Sequence, residues 1–284
     1  MTFASFFCRI GLIGFIGAGL CVPAALAQDA KSPAKGGLLA KIKKRGVLTV
    51  GIAPDPPFED RTPDGKWVGF LPALETKFAE SLGVKVEFVP TTFTTIVAGL
   101  QAGKYDLAGA DLHMTDERKR AIDFSDPFYA SGTSFFLRAD KGKTYKDQES
   151  LNSPDVTIAV ITGSSDDTVA RAALPKANLL TLPNVGPGDL VLQVKTGKVT
   201  AVGLSSYFAP ALIQRFGLVM RPDTAEGVGS LPEAWGVRKD TPDLTAAANK
   251  FLADAKADGA IAALEKQYLT PDAFIKAFSL GGAP

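Results

Sequence analysis

The side chains with the greatest capacity for chemistry lie close together in the chain. Asp111 and His113 are two residues apart, and they are the pair that could share acid–base work. Arg118 follows, and its planar guanidinium suits a carboxylate held by two parallel hydrogen bonds. The alternative is a solvated arginine, because Arg118 lies in the charged run at residues 116–120. This segment therefore raises two hypotheses, recognition of a carboxylate and proton transfer.

A second group of polar side chains precedes a helix predicted at residues 166–173. The hydroxyl and backbone N–H groups of Ser164 and Ser165 could bind an anion at this helix start. Ser164 is also followed three residues later by Asp167, the spacing of a capping box that needs no ligand. Asp166 and Asp167 would compete with an anion there, so both interpretations stay open.

The composition argues against a metal centre and against nucleic-acid binding. His113 is the single histidine, and the two cysteines, Cys8 and Cys21, fall in a segment that we expect to be removed. The mature chain would then lack the ligands of a zinc site, and we expect neither metal nor cofactor. Lys and Arg number 31 and Asp and Glu 30, with Arg9 in the removed segment, so the mature net charge is close to zero. A nucleic-acid binder needs a basic surface instead.

Residues 1–27 have the features of a secretory signal peptide. An apolar run at residues 10–26 ends in the small-residue pattern Ala25-Leu26-Ala27, which precedes cleavage before Gln28. The sequence thus predicts an exported, periplasmic protein. An N-terminal membrane anchor is the alternative, since the run is just below the roughly 18 residues that a spanning helix needs.

Hydrophobic periodicity predicts two units of alternating strands and helices. In the first helix, Leu71, Leu74, Phe78 and Leu82 recur at three and four residues and share one face. The alternation predicts an α/β fold with parallel strands. The predicted strands are residues 47–52, 84–89, 106–110, 156–161 and 199–204, and the predicted helices are residues 69–82, 96–103, 166–173, 189–195, 242–258 and 260–268.

The order of the segments predicts two lobes that share two connecting strands. Strand-like residues 133–138 lie between the units, and their counterpart at residues 234–238 comes only after the second unit is complete. One continuous doubly wound domain is the alternative that a linear reading leaves open. The predicted limits are residues 28–45 for a leader and short helix, residues 46–131 and 234–278 for lobe 1, and residues 132–233 for lobe 2.

Three blocks of sequence form a recognisable pattern. The middle block is the most specific, and it ends in Asp123-Phe124-Ser125-Asp126-Pro127-Phe128-Tyr129. The blocks comprise residues 51–58 with 64–70, residues 100–106 with 115–119 and 123–129, and residues 163–165 with 236–239 and 257–259. This pattern resembles the family 3 extracellular solute-binding proteins of polar amino-acid uptake systems over nearly the whole mature chain.

The resemblance implies the type II periplasmic-binding-protein fold, in which two α/β lobes close around a small ligand. The implied function is to capture an amino-acid-like solute and deliver it to an ABC-transporter permease in the inner membrane, as a monomer and without catalysis. Arg118 would bind the ligand carboxylate, together with Ser164 and Ser165 from lobe 2. Phe93 would pack on the ligand side chain, although a core phenylalanine is equally consistent with the pattern.

Four residues depart from the family pattern near the implied ligand. Asp55 stands where an aromatic ring is usual, Asp111 where Gly or Ser is usual, and His113 where a hydroxyl would bind the ligand ammonium. Ser205 replaces the acid that holds this ammonium from lobe 2. Either Asp111, with or without Asp55, takes over the cation, or the ligand is not an ordinary α-amino acid. Asp55 could instead cap the Pro-rich turn around it.

Proteins of this fold also have two other functions. One is catalysis, because a few proteins of this fold are periplasmic enzymes, notably cyclohexadienyl dehydratases, and His113 with Asp111 could supply the acid–base pair. The other is ligand sensing, in which the closed lobes dock on a membrane receptor. Turnover of a ligand would identify an enzyme, and neighbouring permease and ATPase genes would favour transport.

Overall fold

The computed structural model describes residues 37–277, so the predicted signal peptide and cleavage site lie outside the described residues. Within that range no helix is long and apolar enough to cross a bilayer. The helices are α1 (Leu38–Arg45), α2 (Phe70–Ser81), α3 (Ile96–Gln101), α4 (Asp116–Ala121), α5 (Ser165–Ala173), α6 (Pro187–Lys195), α7 (Ala209–Phe216), α8 (Pro242–Ala257), α9 (Ala260–Tyr268) and α10 (Pro271–Ala277). The strands are β1 (Val47–Ile52), β2 (Asp60–Arg61), β3 (Trp67–Val68), β4 (Lys85–Pro90), β5 (Leu107–His113), β6 (Asp123–Phe124), β7 (Tyr129–Arg138), β8 (Thr157–Ile161), β9 (Asn178–Leu182), β10 (Ala201–Ser205), β11 (Leu218–Arg221) and β12 (Val228–Val237).

The strand order separates two parallel groups by two long antiparallel strands. The main path runs β4-β1-β5-β12-β7-β10-β8-β9, with β11 beside β7 and β6 beside β12. Strand β1 is parallel to β4 and β5, and β8 is parallel to β9 and β10. Strands β7 and β12 pair antiparallel with each other and with the edge of each group. Strands β7 and β12 contain nearly all of the two segments predicted as connecting strands, but they pair with each other through residues 129–133 and 228–233, which lie almost entirely before those segments.

Strand β5 carries two of the predicted site residues, Asp111 and His113, at its C-terminal end. Every residue of Leu107–His113 is buried, because the strand is paired with β1 on one side and with β12 on the other. The sequence predicted a strand at residues 106–110, and pairing with β12 extends it to His113, which lies opposite Glu233. Side chains alternate along a strand, so Asp111 and His113 share one face.

A close backbone contact fixes the loop that carries Asp55. The first N–H groups of α2 have no partners within the helix, and Phe70 and Leu71 donate them to the carbonyl oxygens of Pro57 and Phe58 at 3.4 and 2.9 Å. Gly69, just before the helix, has φ 129° and ψ −173°, a conformation that is essentially restricted to glycine. This contact holds the loop against α2, and the loop carries Asp55 at its other end.

The strands and helices pack around a core rich in aromatic side chains. Trp235 on β12 is fully buried, and its ring stacks on Phe78 of α2 with centroids 5.3 Å apart. Trp235 is therefore a core residue. Because Trp235 lies on a connecting strand, its packing ties β12 to the helix that follows the Asp55 loop.

Candidate functional site

The structure brings all eight predicted site residues around one cavity between the two strand groups. The cavity has a volume of about 20 Å³, which is enough for about one water molecule. The residues come from six separate segments and reach the cavity from strand ends, loops and helix starts. They are Asp55, Phe93, Asp111, His113, Arg118, Ser164, Ser165 and Ser205.

Arg118 is a buried cation held by backbone oxygens. Its Nη1 donates to the carbonyl oxygen of His113 at 3.0 Å, and its Nη2 donates to that of Gly163 at 3.3 Å. Helix α4 positions it through Thr115, whose hydroxyl accepts the Arg118 N–H at 3.2 Å. The side chain is only 9% exposed, so Arg118 is not the solvated member of a charged run.

His113 is neutral and presents a hydrogen-bond acceptor toward the other strand group. Its Nε2 lies 3.0 Å from the carbonyl oxygen of Ser131, which can only accept, so Nε2 carries the proton. Its Nδ1 therefore accepts from the hydroxyl of Ser165 at 3.0 Å. Burial, and secondarily the charge of Arg118, lowers the pKa of His113 to about 4. A histidine with this pKa is not a general acid at neutral pH.

Asp55 and Asp111 face the same tyrosine hydroxyl. The Oη of Tyr207 lies 2.6 Å from Oδ2 of Asp55 and 2.8 Å from Oδ2 of Asp111. Burial raises the pKa of both carboxyl groups, and the charge of Asp111 raises that of Asp55 further. The side chain of Asp55 thus points into the cavity, and the hypothesis that it caps the Pro-rich turn is wrong.

Ser164 and Phe93 have the structural contacts that the sequence also allowed. The hydroxyl of Ser164 accepts the N–H of Asp167 at 3.2 Å and donates to the carbonyl oxygen of Ile161 at 2.8 Å, so Ser164 is the N-cap of α5. Phe93 is partly buried and packs with a small apolar cluster that includes Ile96. Both residues nevertheless line the cavity.

The family model for bacterial extracellular solute-binding proteins, family 3, matches residues 48–271. The chain belongs to this family. Its fold agrees: the crystal structure of the ancestral amino acid-binding protein AncCDT-1, a precursor of cyclohexadienyl dehydratase, superposes with a TM-score of 0.74 at 33% identity, covering 82% of this chain and 99% of that one. The two-lobed α/β fold predicted from the sequence is confirmed.

Two curated relatives of this family 3 protein differ in what they do. It is 26% identical over 254 residues to the L-cystine-binding protein TcyJ of Escherichia coli K12, covering 89% of this chain and 94% of that protein. It is 31% identical over 161 residues to the cyclohexadienyl dehydratase of Pseudomonas aeruginosa, covering 56% of this chain and 60% of that enzyme. Amino-acid-binding proteins predominate among its relatives, and solute binding is the function that they support.

The family 3 protein also buries the carboxyl groups of Glu59, Glu75, Asp166 and Glu233, of which the sequence analysis considered only Asp166. Asp166 accepts a hydrogen bond from the Thr133 hydroxyl at 2.6 Å, and burial raises the pKa of Asp166 to about 6. Burial likewise raises the pKa of Glu59, Glu75 and Glu233. Within residues 37–277, no three His, Asp or Glu side chains are arranged to hold a metal ion.

One of these carboxyl groups had a signal in the sequence. Glu75 falls on the apolar face of the predicted helix, four residues after Leu71 and three before Phe78. It is fully buried against Gly109 of β5, where any side chain would collide with its carboxyl group. The position of Tyr207 had no comparable signal.

A larger cavity of about 700 Å³ adjoins the small one. The two share Phe93, Arg118, Ser164 and Ser165, so these side chains form the boundary between the inner site and the opening to solvent. Glu117 and Arg171 line the outer cavity. Arg118 therefore contacts both cavities of the family 3 protein.

Proposed function

We propose that this family 3 protein captures an amino-acid-like solute with at least one ammonium or guanidinium group and delivers it to an ABC-transporter permease in the inner membrane. The solute lies between lobe 1, residues 46–131 and 234–278, and lobe 2, residues 132–233. The protein acts as a periplasmic monomer after removal of residues 1–27. One observation supports the ligand class above all others: Asp55, Asp111 and the acceptor nitrogen of His113 share a small buried cavity with Arg118.

The groups around the cavity match the two ends of a zwitterion. Arg118 supplies N–H donors suited to a carboxylate, and Ser164 and Ser165 add the hydroxyl groups and backbone N–H groups of a helix start. Charge-assisted hydrogen bonds of this kind are stronger in a site shielded from water than on a wet surface.

The cavity is also lined by acceptors, and these suit a cation. Oδ1 of Asp111 is buried without a hydrogen-bond partner among the described residues. His113 presents Nδ1 as an acceptor. The side chain of Ser205 is neutral and cannot balance the charge of a cation. Lobe 1 therefore takes over the cation, as one of the two accounts from the sequence holds, and Ser205 is left as a neutral contact.

A thermal-shift screen of the mature protein tests this function. Cationic amino acids, neutral amino acids, dicarboxylates and amines are added singly, with Arg118→Ala and the exposed Arg120→Ala as matched variants. A ligand at 100 times its dissociation constant adds about 2.7 kcal/mol, or roughly 5 to 10 °C for a chain of this size. A shift confined to ammonium-bearing solutes and lost in Arg118→Ala supports the proposal. Shifts with dicarboxylates alone would contradict it.

The dehydratase relative makes catalysis the second candidate. The neutral His113 does not supply the general acid, but the buried Asp166, with a pKa of about 6, could. We expect no turnover, because the matching relatives are predominantly binding proteins. Each compound that stabilises the protein is recovered after incubation and analysed by mass spectrometry. A product that forms with the wild type and not with Asp166→Asn would establish an enzyme.

A further inference from the structure

The hydroxyl of Tyr207 has one hydrogen and two carboxyl neighbours. It lies 2.6 Å from Asp55 Oδ2 and 2.8 Å from Asp111 Oδ2, and both are hydrogen-bond distances. Ionised carboxylates only accept, so the hydroxyl can satisfy one of them. The second contact requires a donor, which is a proton on the other carboxyl group. The arrangement is therefore carboxylate, tyrosine and carboxylic acid, with one proton more than two ionised aspartates would have.

The packing of Tyr207 fixes its hydroxyl at this place. Its ring centroid lies 4.7 Å from that of Phe58, 4.6 Å from that of Phe208 and 5.7 Å from that of Phe274. Phe58 belongs to the loop that also carries Asp55, whereas Tyr207 follows β10 in the other strand group. The hydroxyl thus crosses from one strand group to the carboxyl groups of the other.

The surroundings favour retaining that extra proton. Arg118 is the cation that acts on Asp111, and the neutral His113 adds no charge. A second ionised carboxylate beside the first would be buried without a counter-charge, which is costly. The titratable and charged groups that face the bridge from the elements packed around it are Glu59 before β2, Glu75 on α2, His113 on β5, Arg118 on α4, Tyr129 on β7, Asp166 on α5 and Glu233 on β12.

We propose that Tyr207 and the shared proton compete with the ligand for the Asp55 and Asp111 pair, which makes Tyr207 a specificity-determining residue. A ligand cation replaces the tyrosine hydroxyl between the two carboxyl groups, and the proton leaves to solvent as the cation arrives. One proton leaves the site when one positively charged ligand group binds, so the net charge of the site is unchanged. A solute without a positively charged group cannot replace the charge that leaves with this proton. The inference rests on the proposed function only in naming the ligand cation.

The shared proton is tested without any ligand. Infrared difference spectra of the dialysed protein at pH 7 separate protonated carboxyl groups from ionised ones through their carbonyl stretch. Asp55→Asn and Asp111→Asn should each remove one protonated carboxyl group, because the asparagine amide takes the donor role and the remaining aspartate ionises. The double variant should remove no more than either single one. Equal spectra for the wild type and both single variants, or additive losses in the double variant, would overturn the shared proton.

The exchange is tested with L-arginine and L-lysine as probes. Calorimetry in two buffers of different ionisation enthalpy should report release of about one proton per probe bound to the wild type, and a clearly smaller release for Asp55→Asn. Tyr207→Phe should raise the affinity for these probes, whereas the neighbouring Tyr129→Phe should not. Binding without proton release overturns the exchange. If neither probe binds while the infrared result holds, the cationic ligand class and the exchange both fail and the shared proton stands.

Discussion

Arg118 carries a buried positive charge whose contacts in the protein are neutral carbonyl oxygens, His113 at 3.0 Å and Gly163 at 3.3 Å. Carboxyl groups act on this charge only from a distance, and a ligand carboxylate would supply a directly bonded charged partner. We therefore expect Arg118→Ala to weaken ligand binding by roughly 2 to 5 kcal/mol, measured by titration calorimetry. The exposed Arg120→Ala is the control and should bind as the wild type does. Unchanged affinity in Arg118→Ala would exclude Arg118 from the binding site.

The carboxyl group of Asp166 predicts how stability depends on pH. Burial raises its pKa to about 6 from an ordinary value of 3.8, so the folded protein binds this proton more tightly than the unfolded chain does. The free energy of unfolding should consequently fall as pH rises from about 4 to about 6, by up to roughly 3 kcal/mol from this group. Asp55 and Asp111 act in the same direction, because their pKa values are raised too, whereas the lowered pKa of His113 acts in the opposite direction, so the contribution of Asp166 is the difference between the wild type and Asp166→Asn.

Urea unfolding of the ligand-free protein between pH 4 and pH 8 measures this dependence. Asp166→Asn should flatten the fall and stabilise the protein at pH 7, since the amide oxygen can still accept from Thr133. The exposed Asp155→Asn is the matched control. A pH dependence that is the same in Asp166→Asn as in the wild type, or that changes equally in both variants, would show that Asp166 is ionised in the folded protein.

Sequence reasoning found the chemistry of single residues better than their partners. It identified Asp55 and Asp111 as unusual acids because each departs from the family pattern. It did not find Tyr207, which contacts Asp55 across 152 positions of sequence and Asp111 across 96. Such contacts depend on how two strand groups meet, and no local pattern of spacing or hydrophobicity records that.

Among the elements, the loop before α2 offers a sharp test of how the Asp55 segment is held. A Cβ on Gly69 would lie 2.5 Å from the carbonyl oxygen of Phe58, and its φ of 129° disfavours any other residue. We expect Gly69→Ala to lower the free energy of unfolding by about 1 to 3 kcal/mol. Gly186→Ala is the control, because Gly186 has φ −100° and no atom within 4 Å of an added Cβ. A lowered urea midpoint in both variants alike would contradict this interpretation.

Most of the strands and helices were predictable from the sequence, including the short strands β1 and β8, but several elements were not. Helix α9 agrees with its predicted range, and α8 differs by one residue at its end. The predictions missed β9, α7 and β11, which have 5, 8 and 4 residues. A segment this short does not always show a distinct period, and tertiary contacts then decide its structure. The site was predictable as a set of residues because strand ends and helix starts converge on it.

At the scale of the whole molecule, two parallel strand groups are linked through β7 and β12. Cross-cavity contacts involve Tyr207 with Asp55 and Asp111, Ser165 with His113, and Gly163 with Arg118. The same side chains that we propose to bind a solute therefore also hold the two groups together. Ligand binding and closure should be coupled, since a solute replaces contacts that the groups otherwise make with each other.

Export is a separate prediction about the whole chain. The segment at residues 1–27 should be cleaved before Gln28, and the mature protein should be recovered in the periplasmic fraction. N-terminal sequencing of protein expressed with its leader checks the cleavage site. A chain that retains Ala27 and stays with the membrane would contradict the prediction.

The most direct test of the central proposal compares ligand charge in one calorimetric experiment. L-arginine and L-lysine are titrated into the mature wild type, Asp55→Asn and Asp111→Asn, with a dicarboxylic and an uncharged amino acid as controls. The cationic amino acids should bind the wild type, lose roughly 2 kcal/mol or more in Asp111→Asn and lose less in Asp55→Asn. Binding of only the dicarboxylic or uncharged amino acids, undiminished in Asp111→Asn, would show that the carboxyl groups of this cavity do not select a cation.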